Sequence, residues 1–235
     1  IIIGSGFAGL AAGLKAAQKG SKVLILEKMG RIGGNSVING GGMAVANNPV
    51  QAKTNIKDNK ELFIADCLKA GLGINHTELL ETLVDRGMDA YNFLVENGVQ
   101  FKEHCAHFGG HSVARSMLTT NDSGSGYIQP MLEKFEGFKD KGCELRRRAK
   151  FDDFVMDGER VAGVVIREEY KFDPNLYSDD LENTSGTKKT LKAKKGVVLA
   201  AGGFCRDKFY RKLQDPRIPD DVDSTNHAGA TAGVL

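Results

Sequence analysis

Gly4-Ser5-Gly6-Phe7-Ala8-Gly9 and Glu27 are the residues of this chain whose types and spacing point most directly to chemistry. A GxGxxG turn that opens a helix offers unpaired backbone N–H groups and the positive end of a helix dipole, which suits a phosphate. In such a turn Gly4 permits the tight bend, Gly6 lets the backbone approach a pyrophosphate, and Gly9 lets the helix lie close to a sheet. Glu27, eighteen residues past Gly9, can accept hydrogen bonds from both hydroxyls of an unphosphorylated ribose.

The elements needed to position these residues are legible around them. The apolar run Ile1-Ile2-Ile3 leads into the glycines, a small-residue helix follows, and Val23-Leu24-Ile25-Leu26 ends at Glu27-Lys28. Strand, glycine turn, helix, strand and acid form a βαβ dinucleotide-binding unit, which by itself leaves NAD and FAD both open. The residues after Glu27 separate the two. A direct entry into a crossover helix would suit NAD. Instead Gly30-Arg31-Ile32-Gly33-Gly34-Asn35-Ser36 and Asn39-Gly40-Gly41-Gly42-Met43 make a long glycine-rich loop. Glycine allows close backbone approach to a planar ligand, and Ile32, Val37, Ile38 and Met43 are poor residues for a solvent loop.

These segments resemble the fumarate reductase/succinate dehydrogenase flavoprotein family. The likeness is greatest to the soluble flavocytochrome c fumarate reductases and to relatives acting on other 2-enoates, urocanate or 3-oxosteroids. The resemblance also rests on Gly109-Gly110-His111-Ser112-Val113-Ala114-Arg115, on Leu199-Ala200-Ala201-Gly202-Gly203-Phe204 and on Thr225-Asn226-His227-Ala228-Gly229-Ala230, all in family order. It implies an α/β, Rossmann-like FAD-binding domain of the two-dinucleotide-fold type over residues 1–235, with a β-meander inserted at 150–195. A capping, substrate-binding domain would follow position 235. The chain opens inside a strand and stops at Gly233-Val234-Leu235 inside an expected helix, so it reads as an N-terminal piece of a larger flavoprotein.

Carried over residue by residue, the resemblance implies FAD as the cofactor. Gly4, Ser5, Gly6, Phe7, Ala8 and Gly9 would hold its pyrophosphate and Glu27 the adenosine ribose, with Lys28 a further cofactor-binding residue. Gly33, Gly34, Asn35 and Ser36 would contact the flavin side. Gly40 and Gly41 would lie by the isoalloxazine, Gly41 also close to the substrate, and Gly42 would bind the cofactor beside them. The backbone of Ala149 and Lys150 would grip the adenine. Ala200, Ala201 and Gly202 would pass the cofactor again, and Asn226 with His227 would belong to a flavin loop. The family's chemistry is hydride transfer from reduced flavin to a polarised C=C bond, with a proton from an arginine and with substrate carboxylates clamped by histidine and arginine. Those residues match positions beyond 235, so no catalytic residue is assigned here. Arg115 and His111 do not match the family's proton donor. Where relatives carry Gly-Asp-Gly, with an acid on the flavin's ribityl chain, Thr231-Ala232-Gly233-Val234 stands instead.

The implied partners are a small dicarboxylate or enoate substrate and an electron donor outside this chain, such as a c-type haem domain or cytochrome. The implied compartment is the bacterial periplasm, with the cytoplasm as the alternative. Two other functions remain open on the residues alone: a flavin-binding module without its own turnover, and an NAD-dependent dehydrogenase domain.

A net charge of +2 over 235 residues argues against a dedicated nucleic-acid surface. Arg146-Arg147-Arg148 reads as a solvated strand rather than a phosphate site. Cys67, Cys105, Cys143 and Cys205 are scattered, with no CxxC or CxxCH pattern, and read as free thiols. His104, His107 and His111 lack the thiolate help that a zinc site usually has. No apolar run is long enough to span a bilayer, and no signal-peptide pattern occurs.

Along the rest of the chain, apolar spacing predicts helices over Asn59 to Ala70, from Thr77 as N-cap through Leu79, Leu80 and Leu83, and over Met88 to Glu96 with a stop at Asn97-Gly98. These would cover the sheet. Phe101 to Arg115 reads as irregular, and Tyr127 to Lys141 as a helix with Pro130 in its first turn. Glu144 to Ala149 reads as a strand. Phe151 to Val155 and Val161 to Arg167 form a hairpin around Asp157-Gly158, and Asp173 to Lys189 is an exposed extension before Leu191 to Lys194 pairs back. Gly196 to Gly203 reads as a fully buried parallel strand ending in a glycine crook.

Overall fold

The computed structural model describes residues 1–219 and 221–234. The chain divides into two compact units, Ile1–Ile38 with Leu132–Leu235, and Asn39–Met131. Ten strands among the described residues, β1 to β10, are Ile2–Ile3, Leu24–Glu27, Gly42–Ala44, Phe101–Ala106, Ser116–Thr119, Glu144–Arg147, Ala149–Asp157, Arg160–Glu168, Thr187–Lys192 and Val198–Leu199.

The first unit holds a parallel sheet in the order β10-β1-β2-β6 and an antiparallel meander β7-β8-β9. Helix α1, Phe7–Gln18, is the crossover between β1 and β2. Its small residues allow Gly9, Leu10, Gly13, Leu14 and Ala17 to be buried. The sheet and the meander share one apolar core, in which Ile3 and Leu26 meet Ala149, Phe151, Val164 and Ile166. Burying side chains of this size stabilises by roughly 1.5–3 kcal/mol each before the entropy of ordering is counted.

The chain passes from sheet to meander at Arg148, which takes a left-handed φ of 53°. Its N–H donates to the Met29 carbonyl, and its carbonyl accepts from Tyr170 N–H. The single strand expected over Glu144 to Ala149 is therefore two, and Ala149 belongs to the meander. The Asp157-Gly158 turn forms as expected, with Gly158 at φ 60°. Arg146 pairs with Glu144 and Glu168, in line with a solvated strand.

Three further expectations for the first unit need correction. β10 is not fully buried: as the edge strand beside β1 it leaves Val198 45% and Leu199 47% exposed. The segment before β9 is not a simple exposed extension either. Tyr170, Ser178 and Asp179 are buried, and the segment carries a short helix at Asp179–Glu182. Polar composition hides this fold because the segment is closed by hydrogen bonds rather than by apolar packing: the Asp179 carboxylate accepts from Tyr170 O–H, Asp173 N–H and Asn183 Nδ2. The helix expected at the end of the chain is a turn at Gly233 and Val234, and Leu235 lies outside the described residues.

The second unit carries the antiparallel sheet β3-β5-β4 and the helices Lys60–Ala70, Thr77–Asp85 and Gly87–Glu96. Asn59 caps the first by accepting from Leu62 N–H. Thr77 is the first helical residue of the second, one position inside the expected cap. Gly98 ends the third at φ 93°. Met88 and Tyr91 pack this third helix against Val45, Val50 and Met117. The second helix buries Leu80 but leaves Leu79 and Leu83 exposed, because these two share a face one-quarter turn from Leu80.

The segment from Phe101 was expected to be irregular, but β4 forms there. Its register shifts between Phe101 and Cys105, and that bulge breaks the two-residue alternation by which a strand is read. Pro130 sits in the second turn of its helix, not the first, because the helix begins at Ser125, two residues earlier than expected, and runs to Glu136.

Candidate functional site

The glycine turn between β1 and α1 is built as its spacing requires. Gly4 has φ 102°, and a Cβ there would meet the Ala200 carbonyl oxygen at 2.4 Å. A Cβ on Gly9 would lie 2.0 Å from the Gly4 carbonyl oxygen. Only glycine lets strand, turn and helix approach this closely. Gly6 is the N-cap of α1 and makes no side-chain cap, so the cap itself satisfies none of the first helical N–H groups. Ser36 Oγ takes one of them, from Phe7, at 3.0 Å.

Glu27 closes the end of β2 and is 8% exposed. Its Oε2 accepts from both the N–H and the hydroxyl of Ser5, and its Oε1 accepts from Met29 N–H at 2.8 Å. Ser5 Oγ in turn accepts from Gly33 N–H at 2.9 Å. A carboxylate offers about four acceptor positions, so the protein fills three and leaves one, on Oε1, for a ligand hydroxyl. The acid thus joins the glycine turn, its own strand and the following loop.

These groups line a cleft of about 590 Å³ within the first unit, inside the range of about 300–1,000 Å³ usual for small-molecule sites. Gly4, Ser5, Gly6, Phe7 and Ala8 form one wall, Glu27 and Lys28 the next, and Gly33, Gly34, Asn35 and Ser36 another. Ala149 and Lys150 enter from the meander, and Ala200, Ala201 and Gly202 from the end of β10. Gly9 lies behind the wall, buried against Gly4. Asn226 is tied to the wall rather than part of it: Asn35 Nδ2 donates to Asn226 Oδ1 at 2.6 Å, and His227 N–H donates to Asn35 Oδ1. His227 Nδ1 accepts from Gly229 N–H, which fits a loop-forming role rather than catalysis.

Sequence reasoning missed Asp180, which lines the same cleft from the meander's extension. No motif marks it, and the acidic, turn-rich composition around it suggested exposure. Lys28 and Lys150 are its nearest cations, with Nζ at 3.6 and 3.8 Å.

Gly40, Gly41 and Gly42 belong to the second unit. There Gly41, at φ 67°, donates to Asn39 Oδ1, and its carbonyl accepts from Tyr127 O–H and Thr119 N–H. Burial pushes the Tyr127 phenol well above its ordinary pKa, so it stays protonated and keeps that bond.

The same unit contains Arg115, whose side chain is fully buried. Nε and Nη2 donate to the two Asp58 oxygens at 2.9 Å each, and Nη1 to Asp66 Oδ2 at 2.7 Å. Nη1 also lies 3.1 Å from His111 Nδ1, and the guanidinium stacks 4.5 Å over Phe63. Since arginine only donates, His111 Nδ1 is the acceptor and its ring is neutral there. Burial, with the Arg115 charge, holds the His111 pKa below its usual value. Burial alone would raise the Asp66 carboxyl, but bonds from Ser112 and Arg115 outweigh that and hold it below the carboxylate range. This is a densely paired structural cluster, with Arg115 held by two carboxylates and a ring nitrogen. Among the described residues no group of three or more His, Cys, Asp or Glu is placed to hold a metal ion. The cysteines are free, and among the described residues no helix is long and apolar enough to cross a membrane.

The cleft's residues fit FAD: N–H groups at a helix start for a pyrophosphate, a buried acid for a ribose and glycine clearance for close approach. Residues 1–231 match the family model described as an FAD binding domain. The chain is 40% identical to the acrylate reductase flavoprotein subunit of Shewanella woodyi, over 98% of this chain and 44% of that protein. It is 34% identical to the urocanate reductase of Eggerthella lenta, over 98% of this chain and 36% of that protein. The solved structure of the open conformation of a flavocytochrome c3 fumarate reductase superposes with a TM-score of 0.81 at 26% identity, over 98% of this chain and 38% of that one. The chain thus spans less than half the length of each of these proteins.

Proposed function

From the premise that this chain belongs to the FAD-binding domain family, we infer that it is the cofactor-holding part of an oxidoreductase that reduces an activated C=C bond. The observation that carries this reading is one cleft in which the N-terminus of α1, the Glu27 carboxylate and the crook at Ala200–Gly202 converge. The names of the relatives, acrylate, urocanate and fumarate reductases, supply the substrate class, a small enoate or dicarboxylate.

When bound, FAD supplies hydride chemistry. The chain's own part is binding and orientation. Backbone N–H groups at Gly6 and Ala8 face a pyrophosphate, while that of Phe7 is held by Ser36 Oγ. The open position on Glu27 Oε1 accepts from a ribose hydroxyl, and Asn35 with Ser36 fixes the loop on the flavin side. Gly40 and Gly41 are the part of the reading assigned to the isoalloxazine and, for Gly41, to the substrate, with Gly42 binding the cofactor beside them. Arg115 and His111 serve the fold. The carboxylate clamp and the proton donor belong to sequence beyond this chain, as does the electron donor, a haem domain or cytochrome. A periplasmic location accompanies that donor.

Chain reconstituted with FAD should be yellow and bind flavin saturably. Saturable NAD binding with no flavin uptake would contradict the reading. Loaded with FAD and given an artificial reductant, the 235-residue chain should leave acrylate, urocanate and fumarate unreduced. A polypeptide of the relatives' full length should reduce one of them. Hydride transfer to an enoate needs a positioned acid and carboxylate clamps, each contributing orders of magnitude. Turnover by the chain alone would return the catalytic role to Arg115, His111 or His227.

A further inference from the structure

Asp179 and Asp180 are neighbours in the short helix of the meander's extension, and the structure treats them in opposite ways. The Asp179 carboxylate is filled by Tyr170 O–H, Asp173 N–H and Asn183 Nδ2. The Asp180 side chain is only 9% exposed, and neither of its oxygens has a hydrogen-bond partner. Lys28 and Lys150 lie at 3.6 and 3.8 Å, which offsets the charge without filling a lone pair. A buried ionised carboxylate without donors is costly, and a native fold that keeps one next to a cleft leaves it for a donor that arrives.

The donors come from the adenosine end of the cleft. Glu27 has one acceptor position left, whereas an adenosine presents two ribose hydroxyls and a 6-amino group. Lys28, directly after Glu27, is the residue that reaches Asp180. We propose that Asp180 is a cofactor-binding residue, its carboxylate accepting hydrogen bonds from the adenosine moiety of the dinucleotide. This deepens the reading above and rests on it. It also places a binding contact in the segment between β8 and β9, where neither motif nor resemblance assigned one.

The test is calorimetric titration of the chain with FAD, ADP, IDP and FMN, in the wild type, Asp180→Asn, Asp180→Ala and Asp179→Asn. IDP replaces the 6-amino donor with a carbonyl, and FMN lacks the adenosine. Both Asp180 variants should bind FAD and ADP about ten- to a hundredfold more weakly, the scale of a hydrogen bond to a charged group. Their urea midpoints without ligand should stay level or rise, since an unsatisfied buried carboxylate is removed, and their FMN affinity should not change. Asp179→Asn should lower the midpoint instead. If the wild type prefers ADP to IDP and Asp180→Asn abolishes the preference, the donor is the amine. If both nucleotides weaken alike, it is a ribose hydroxyl. A wild type that binds neither FAD nor ADP overturns the cofactor reading itself. A wild type that binds both, with Asp180 variants that bind ADP as well or more tightly, overturns this proposal alone. Equal loss of FMN and ADP binding would also overturn it, by showing a merely structural role.

Discussion

Arg115 in the second unit and Asp180 in the first are both charged side chains withdrawn from water, yet one is saturated and the other empty-handed. Arg115 makes four polar contacts, to Asp58, Asp66 and His111, and stacks on Phe63. Asp180 has cations nearby but no donor within hydrogen-bond reach. The difference separates two uses of buried charge. A saturated cluster fixes a loop against its own unit, and its members are unavailable for chemistry. An unsaturated group beside a cleft costs stability that an arriving donor can restore. The Gly109 to Arg115 motif is the more conspicuous of the two in sequence, and it is the structural one.

The largest effect is expected from breaking the saturated side. Arg115→Met strands Asp58 and Asp66 without their counter-charge and should cost about 3–5 kcal/mol in urea unfolding, the scale for removing one member of a buried pair. A loss below about 1 kcal/mol would mean that the cluster is solvated. On the cleft side, Glu27→Ala should weaken FAD binding by about 1–3 kcal/mol in titration. It should also lower the urea midpoint, because Ser5 and Met29 lose their acceptor. Unchanged FAD affinity with a lowered midpoint would make Glu27 a second Arg115, purely structural.

A smaller effect should come from acid. His111 and Asp66 both have pKa values below their ordinary ones in the fold. The unfolded chain therefore takes up these protons first, and the stability they contribute is present at neutral pH and lost on acidification. The loss should begin near the ordinary histidine value of about 6.5 and continue below the ordinary carboxylate value of about 4. Urea midpoints measured from pH 7 downward should fall, and His111→Phe should flatten the upper part of that fall. A midpoint that rises with acid would contradict the neutral assignment of His111.

The βαβ unit, the glycine turn, the meander and the helix stop at Asn97-Gly98 were legible in the sequence because each depends on local chemistry: apolar runs, left-handed glycines and the Asp157-Gly158 turn. β4 was not, because a register shift between Phe101 and Cys105 scrambles its alternation. The exposure of β10 was not, because a parallel strand's apolar composition does not say whether it lies at the centre or the edge. Asp180 was hidden for a related reason. Its burial comes from a segment folded back by Tyr170 and Asp179, and such polar closure leaves no hydrophobic period to read.

The most direct measurement of the contrast is amide hydrogen exchange of the chain with and without FAD. FAD should slow exchange at Gly4 to Gly9, at Gly33 to Ser36 and at Ala200 to Gly202, where backbone groups line or back the cleft. Exchange at Asp58 to Asp66 and His111 to Arg115 should stay as it was. Protection centred on the Arg115 cluster, with the glycine turn unchanged, would contradict the account.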